Sequence, residues 1–455
     1  MVAAGMTSAT PAAQQPPDEH GLSRQLSSWQ QTTMALGGAI GTGLFLASGL
    51  AFNVAGPALL VSYVIVAGIA LLLGRALTEM AVAHPTAGAF GVYAGMYLSP
   101  FAGYAVRVSY WLMEIVATGA QLVAASIYMG FWFPTVPPAV WVVAFAIALT
   151  YLNSRAVGRL GVIEAWLVMI KILAVVGFVA LAIAVLIGAT GEPARGLGNL
   201  TAHNGLAGFA PFGGTGIWLG CCIVIYSFIG VEIIAVTSGE AADPARTIPR
   251  AMRRMVFSLS AIYIVTIGLI AALTPWKELG VGQSPFVRVL GGMGIPAAAG
   301  VMNFVVLSAA LSSSNANLYL ISRTLFSLSR AGFAPRALGE VSRNGAPVKA
   351  LLVSSLGLSA AAFVSVLSPD TAYVWFFAIA LFGALFVWLM IFVTHIAFRR
   401  GRGALTSYAG ALLIAGVLIS TWWVPMMHAT LFAGGPWLAV LAIGYLVSRR
   451  RQPAS

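Results

Sequence analysis

The sequence predicts an all-α polytopic membrane protein of about twelve transmembrane helices, and three observations carry that reading. Of 455 residues, 60% are hydrophobic and only 8% are charged, whereas a soluble globular domain carries about 25% charged residues. Apolar runs long enough to cross a bilayer recur along the whole chain. The basic residues fall in alternate connections between those runs. With the N-terminus inside, Arg24, Arg155, Arg159, the cluster Arg246, Arg250, Arg253 and Arg254, the stretch Arg323 to Lys349, Arg399 to Arg402 and Arg449 to Arg451 share the cytoplasmic side. Arg195, Lys277 and Arg288 face the other side. By the positive-inside rule this places both termini in the cytoplasm.

In chain order, residues 1–28 are polar and rich in Pro, Gln and Ser, with no apolar stretch ahead of a cleavage site. They read as a disordered cytoplasmic tail rather than a signal peptide. Apolar segments then lie near 31–52, 57–82, 97–130, 138–154, 162–188, 215–237, 254–274, 296–330, 347–367, 371–396, 404–425 and 430–448. The third and eighth are long enough to tilt or to project into the cytoplasm. Residues 29–400 are expected to form a ten-helix core with halves at about 31–188 and 215–396. Residues 401–448 add two helices, and 449–455 form a cytoplasmic C-terminal tail.

Composition also excludes several chemistries. The net charge of +12 is a topology signal that meets anionic lipid headgroups, so no nucleic-acid partner is expected. Cys221 and Cys222 are adjacent in an apolar run, badly placed to bond each other, and read as small core residues. The 5 histidines are scattered, without the spacing of a metal site. No glycine-rich loop with a phosphate-binding lysine occurs, so neither a cofactor nor nucleotide hydrolysis is expected.

Two segments break the helical pattern. Gly37-Gly38-Ala39-Ile40-Gly41-Thr42-Gly43 places four glycines in seven residues of the first run, and each interior Gly costs about 1 kcal/mol relative to Ala. In hydrocarbon, freed backbone groups are tolerated only where protein or a polar cavity receives them. Either a binding site or a small-residue packing face follows. In the sixth run, Tyr226-Ser227-Phe228-Ile229-Gly230-Val231-Glu232 sets a glycine and a carboxylate mid-helix, where Glu232 serves gating or bonds freed backbone amides. Breaks in the first and sixth helices are the pattern of two inverted five-helix repeats around a central site. The half-helix N-terminus of the first suits a carboxylate. Unwound carbonyls of the sixth suit an ammonium. Together they describe an α-amino acid.

At these residues the chain resembles the amino acid–polyamine–organocation superfamily, specifically its bacterial amino acid permeases. Gly38 to Phe45 is similar to the family's first-helix signature. Ser227 to Glu232, with Gly239-Glu240-Ala241, Pro244 and Ile248 to Ala251, resembles its sixth helix and following loop. Arg75 to Met80, Asn317 to Gly332, and Glu164 with Lys171 also fit. The resemblance implies a 5+5 inverted-repeat fold and proton-coupled uptake of an amino acid at the inner membrane, not an enzyme. It implies that Ala39, Ile40, Gly41, Thr42 and Gly43 bind the substrate carboxylate, and that Ser227, Phe228 and Ile229 offer carbonyls to the α-amino group. Tyr226 would be an aromatic lid, and Glu232 a gating link. Gln121 stands where many relatives carry an acid. Glu114, two turns earlier on the same face, is available as a substitute.

Lys171 lies alone inside the fifth run, where a charged lysine costs at least about 2.5 kcal/mol. It therefore pairs (with Glu164), snorkels, faces a cavity or loses its proton. By the resemblance, its ammonium stands where related transporters hold sodium, tying first-helix carbonyls near Gly37 and Gly38 to hydroxyls around Ser313. Arg75 and Glu79, one turn apart, either position the second helix or close an inner gate. His84 reads as a structural loop residue, and Ser312 to Ser314 bond the preceding turn or face the site. Trp422 and Trp423 suit the membrane interface. With no evident acid partner for a basic side chain, a neutral amino acid is favoured. An exchanger, a polyamine-type cation transporter and a sensor without transport stay as alternatives. Oligomerisation is left open.

Overall fold

The computed structural model describes residues 39–86, 88–155, 160–189, 194, 196–201, 206–236, 238, 243–293, 296–342 and 346–451. Among them every regular element is helical. Ten helical stretches are long and apolar enough to cross a membrane, and Pro138–Ser154 is a shorter apolar helix. The longest stretch, Gly43–Ala83 at 41 residues, holds two α-helices, α1 (Ser48–Ala55) and α2 (Leu59–Ala83), joined by a single 3₁₀ turn at Gly56–Ala58. The expected segments 1–28, Gly37, Gly38, Arg159, Arg195, Gly239 to Ala241 and 452–455 lie outside the described residues, as does the side chain of Glu164.

The helices that follow are α3 (Ala89–Tyr97), α4 (Pro100–Gly130), α5 (Pro138–Arg155), α6 (Leu160–Leu186), α7 (Gly213–Val224) and α8 (Ile233–Val236). After them come α9 (Pro244–Leu273), α10 (Pro285–Gly291), α11 (Pro296–Arg330), α12 (Val348–Leu367), α13 (Ala372–Phe398), α14 (Leu405–Ser420) and α15 (His428–Arg451). Local chemistry sets several starts. The Ser99 hydroxyl accepts from the Ala102 N–H ahead of α4, and the Asp243 side chain accepts from Arg246 N–H ahead of α9. Each is followed by a proline whose missing N–H costs nothing at the first helical position.

Packing brings together elements far apart in sequence. The segment 43–55 lies against α7 and the 3₁₀ turn that follows it, α2 against α9, α4 against α11, and α5 against α12. Helix α4, one of the most buried spans, also packs extensively on α13. Helices α14 and α15 lie at the edge and turn Leu405, Leu412, Phe432 and Ile443 outward. An exposed apolar surface of this kind is what lipid tails cover, so burial alone does not mark the core here. Trp422 and Trp423 are exposed between these two helices.

Candidate substrate site

The two glycine-bearing segments abut in the interior. From Gly43 to Ala47 the backbone is π-helical, and these residues are all buried. Single π turns inside α-helical runs are rare and concentrate at functional places. In the other segment α7 tightens into a 3₁₀ turn at Ile225–Phe228, then leaves the helix, with Ile229 extended and Gly230 at φ 106°. That φ is the left-handed side of the map, which suits glycine and strains other residues. A Cβ on Gly43 would lie 2.9 Å from the Ser227 Cα and 3.1 Å from its Oγ, so the two segments touch because Gly43 carries no side chain.

Freed backbone groups find specific partners. The Tyr263 hydroxyl of α9 donates to the carbonyls of Ser227 at 2.7 Å and Ala39 at 3.3 Å. The Tyr373 hydroxyl of α13 donates to the Thr42 carbonyl at 3.3 Å. The Gly230 N–H donates to both oxygens of Glu232 at 3.1 Å, and Trp388 Nε1 of α13 donates to one of them at 3.3 Å. Glu232, 1% exposed, thus caps its own break and ties it to α13. Of the two roles considered for it, the hydrogen bonds to freed backbone are the one seen here.

Between the segments and α4 is a cavity of about 40 Å³, enough for about three waters. Of the expected residues, Ala39, Gly41, Thr42, Gly43, Gln121, Tyr226 and Ile229 line it. Ile40, Ser227 and Phe228 do not. Phe228 instead turns into an aromatic cluster with Tyr63 and Tyr263 at centroid distances of 6.4 and 5.2 Å. The Tyr226 ring packs on Phe377 at 4.3 Å. The hydroxyls of Thr42, Tyr226 and Ser227 are buried with no hydrogen-bond partner among the described residues. Buried polar atoms are nearly always paired, so the Thr42 and Tyr226 hydroxyls, both on the cavity wall, leave it two unmet polar groups.

The structure adds lining residues that the sequence did not single out as site residues: Met113, Ala117, Gly230, Ile233 and Asn317. Met113, Ala117 and Gln121 follow the four-residue spacing of one face of α4, a signal that was available once Gln121 was placed. Gln121 accepts a hydrogen bond from Ser314 of α11 at 3.2 Å. Glu114, 4% exposed, also lines the cavity, and no cation stands at ion-pair distance from it among the described residues.

Two further groups lie off this cavity. Lys171 is 0% exposed, and its ammonium donates to Ser313 Oγ at 3.4 Å. Ser313 Oγ in turn stands 3.2 Å from where a Gly41 Cβ would be. The lysine therefore reaches the first break through one serine, while its expected partners Gly37, Gly38 and the Glu164 side chain lie outside the described residues. Near the end of α2, Glu79 is shared by Arg75 at 3.3 Å, His395 Nε2 at 3.0 Å and Arg399 at 3.1 Å. His395 is held from its other nitrogen by Ser407 at 2.8 Å. The Arg75–Glu79 pair is thus part of a junction between α2 and α13, and His395 escaped the sequence reading. His84 bonds the Tyr97 hydroxyl and accepts at its carbonyl from Tyr93, a loop brace.

Residues 30–453 match the family described as amino acid permease. The chain is 35% identical over 440 residues to the uncharacterized amino acid permease YtnA of Bacillus subtilis (strain 168), covering 93% of this chain and 94% of that protein. It is 34% identical over 451 residues to the aromatic amino acid transport protein AroP of Escherichia coli O6:H1, covering 96% and 98%. AroP of Salmonella typhimurium (strain SL1344) is 33% identical over 447 residues, covering 95% and 97%.

Proposed function

This chain belongs to the amino acid permease family, and we propose that it imports an α-amino acid by proton-driven alternating access between two inverted five-helix repeats. It is a multi-pass membrane protein of the transporter class. Among the described residues, dividing Gly43–Ala83 at its 3₁₀ turn and adding Pro138–Ser154 to the ten apolar stretches supports a count of twelve crossings. The i to i+5 packing of the first segment on α7, α2 on α9, α4 on α11 and α5 on α12 supports a pair of related halves.

The observation that carries the reading is the pair of abutting breaks around a polar cavity with orphaned hydroxyls. Backbone N–H groups at Thr42 and Gly43 receive the substrate carboxylate, as the first turn of any helix has amides to spare. The carbonyls of Tyr226 and Ile229, the residues of the 226–229 segment that line the cavity, receive the ammonium. A 40 Å³ cavity is far below the several hundred Å³ of a ligand pocket. Substrate entry therefore needs the segments to part, with Tyr226 swinging off Phe377. Lys171 couples this motion to the proton. Protonated, it holds Ser313 and with it the first break; neutral, it lets go. Glu232 carries the motion of the second break to α13.

Glu114 favours a second reading of the substrate. A buried carboxyl suits a neutral side chain only while it carries a proton, and it suits a basic side chain when ionised. Competition by a panel of neutral and basic amino acids, and by polyamines, against counterflow of labelled substrate in proteoliposomes decides between them. Counterflow without net uptake would identify an exchanger. Failure of every α-amino acid to compete would remove the proposal.

A further inference from the structure

We propose that the groove between the C-terminal half of α2 and the N-terminal half of α9 is a binding site for one anionic phospholipid. It has a volume of about 300 Å³, at the lower end for ligand pockets. Its walls are mainly apolar, with Leu71, Met252 and Val256 among them, and Arg75, Arg253 and Glu79 stand at its rim.

The order of residues along the two helices matches the order of groups along a lipid. Helix α2 runs toward this end of the bundle, so Leu71 lies one turn deeper than Arg75. Helix α9 runs away from it, so Val256 lies about one turn deeper than Arg253. Both helices of the groove therefore present an arginine at the mouth and an aliphatic side chain beneath it.

Both guanidinium groups keep donors to spare. Arg75 engages Glu79 through Nε at 3.3 Å, and Arg253 engages the Pro249 carbonyl through Nε at 3.3 Å. Their outer nitrogens are left as planar forks, which suit phosphate oxygens. Glu79 does not repel an anion here, because Arg75, Arg399 and His395 already surround it. Arg250, exposed one turn before Arg253 on α9, adds positive potential near the mouth. The occupant is a lipid, since a free phosphate would have no use for the aliphatic walls.

The test uses the full-length protein in nanodiscs containing either phosphatidylglycerol or phosphatidylcholine, with retained lipids counted by native mass spectrometry. One phosphatidylglycerol is expected to stay bound, and phosphatidylcholine to be lost. Arg253→Gln removes one headgroup contact and is expected to lower retention about fivefold. Leu71→Trp fills the groove and is expected to lower it as well. Equal retention of the two lipids, or unchanged phosphatidylglycerol retention in both variants, would overturn the proposal. So would displacement of the lipid by inorganic phosphate alone.

Discussion

Gly43→Ala is the sharpest perturbation of the site, because the structure gives its consequence directly. The added Cβ would lie 2.9 Å from the Ser227 Cα and 3.2 Å from the Ser227 N. Both are backbone atoms that no rotamer change can move, so the two broken segments must separate. Overpacking of this kind costs about 1–3 kcal/mol. The contact exists while the segments are closed on each other and is relieved as they part, so the cost falls on the closed state. At about 1.4 kcal/mol per factor of ten, the population of that state drops about 5- to 150-fold. Uptake measured as kcat/KM in proteoliposomes should fall within that range while the protein still inserts and purifies. Gly68→Ala and Gly177→Ala are the controls, since a Cβ at either meets nothing within 4 Å. These should leave uptake unchanged and stabilise their helices by up to about 1 kcal/mol. Gly43→Ala with native uptake, or the same loss in the controls, would refute the reasoning.

Tyr226→Ala removes the ring that packs on Phe377, whereas Tyr226→Phe removes only a hydroxyl without a partner. Uptake should fall far more in the first than in the second, and equal activity would mean the ring is no lid. Lys171→Met deletes the ammonium that holds Ser313, so exchange should persist while accumulation under a pH gradient is lost; unchanged accumulation would remove the lysine from coupling. Glu79→Gln weakens a junction that is 28% exposed on the acid side, worth about 1 kcal/mol after solvent screening. Amide hydrogen exchange in the last turn of α13 should then rise about fivefold, and an unchanged rate would mean the junction holds nothing.

The all-helical, lipid-facing character of the chain was legible because the bilayer imposes it on composition. The two breaks were legible for a related reason: glycines and a carboxylate at such depth violate local preference, and the backbone they free must be received somewhere. The groups that receive it were not legible. Tyr263 reaches Ala39 across 224 residues, and Tyr373 reaches Thr42 across 331. Nothing local distinguishes these tyrosines from others in apolar helices. The same holds for His395, which meets Glu79 across 316 residues. Glu114 and Gln121 could be placed on one face of α4 by their spacing. Asn317 could not be placed on the same cavity without knowing that α11 crosses α4 there. Phe228 sits in the break yet turns away from the cavity: in a 3₁₀ turn side chains three apart eclipse, which suits Tyr226 and Ile229 sharing the cavity face while Phe228 packs on Tyr63 and Tyr263.

Accumulation of labelled amino acids by the native protein in proteoliposomes, under an imposed inward proton gradient with and without sodium, tests the central claim most directly. At least one α-amino acid should accumulate above equilibrium, collapse when the proton gradient is dissipated, and be indifferent to sodium. Accumulation that requires sodium, or no movement of any α-amino acid in either uptake or counterflow, would contradict a proton-driven amino acid permease.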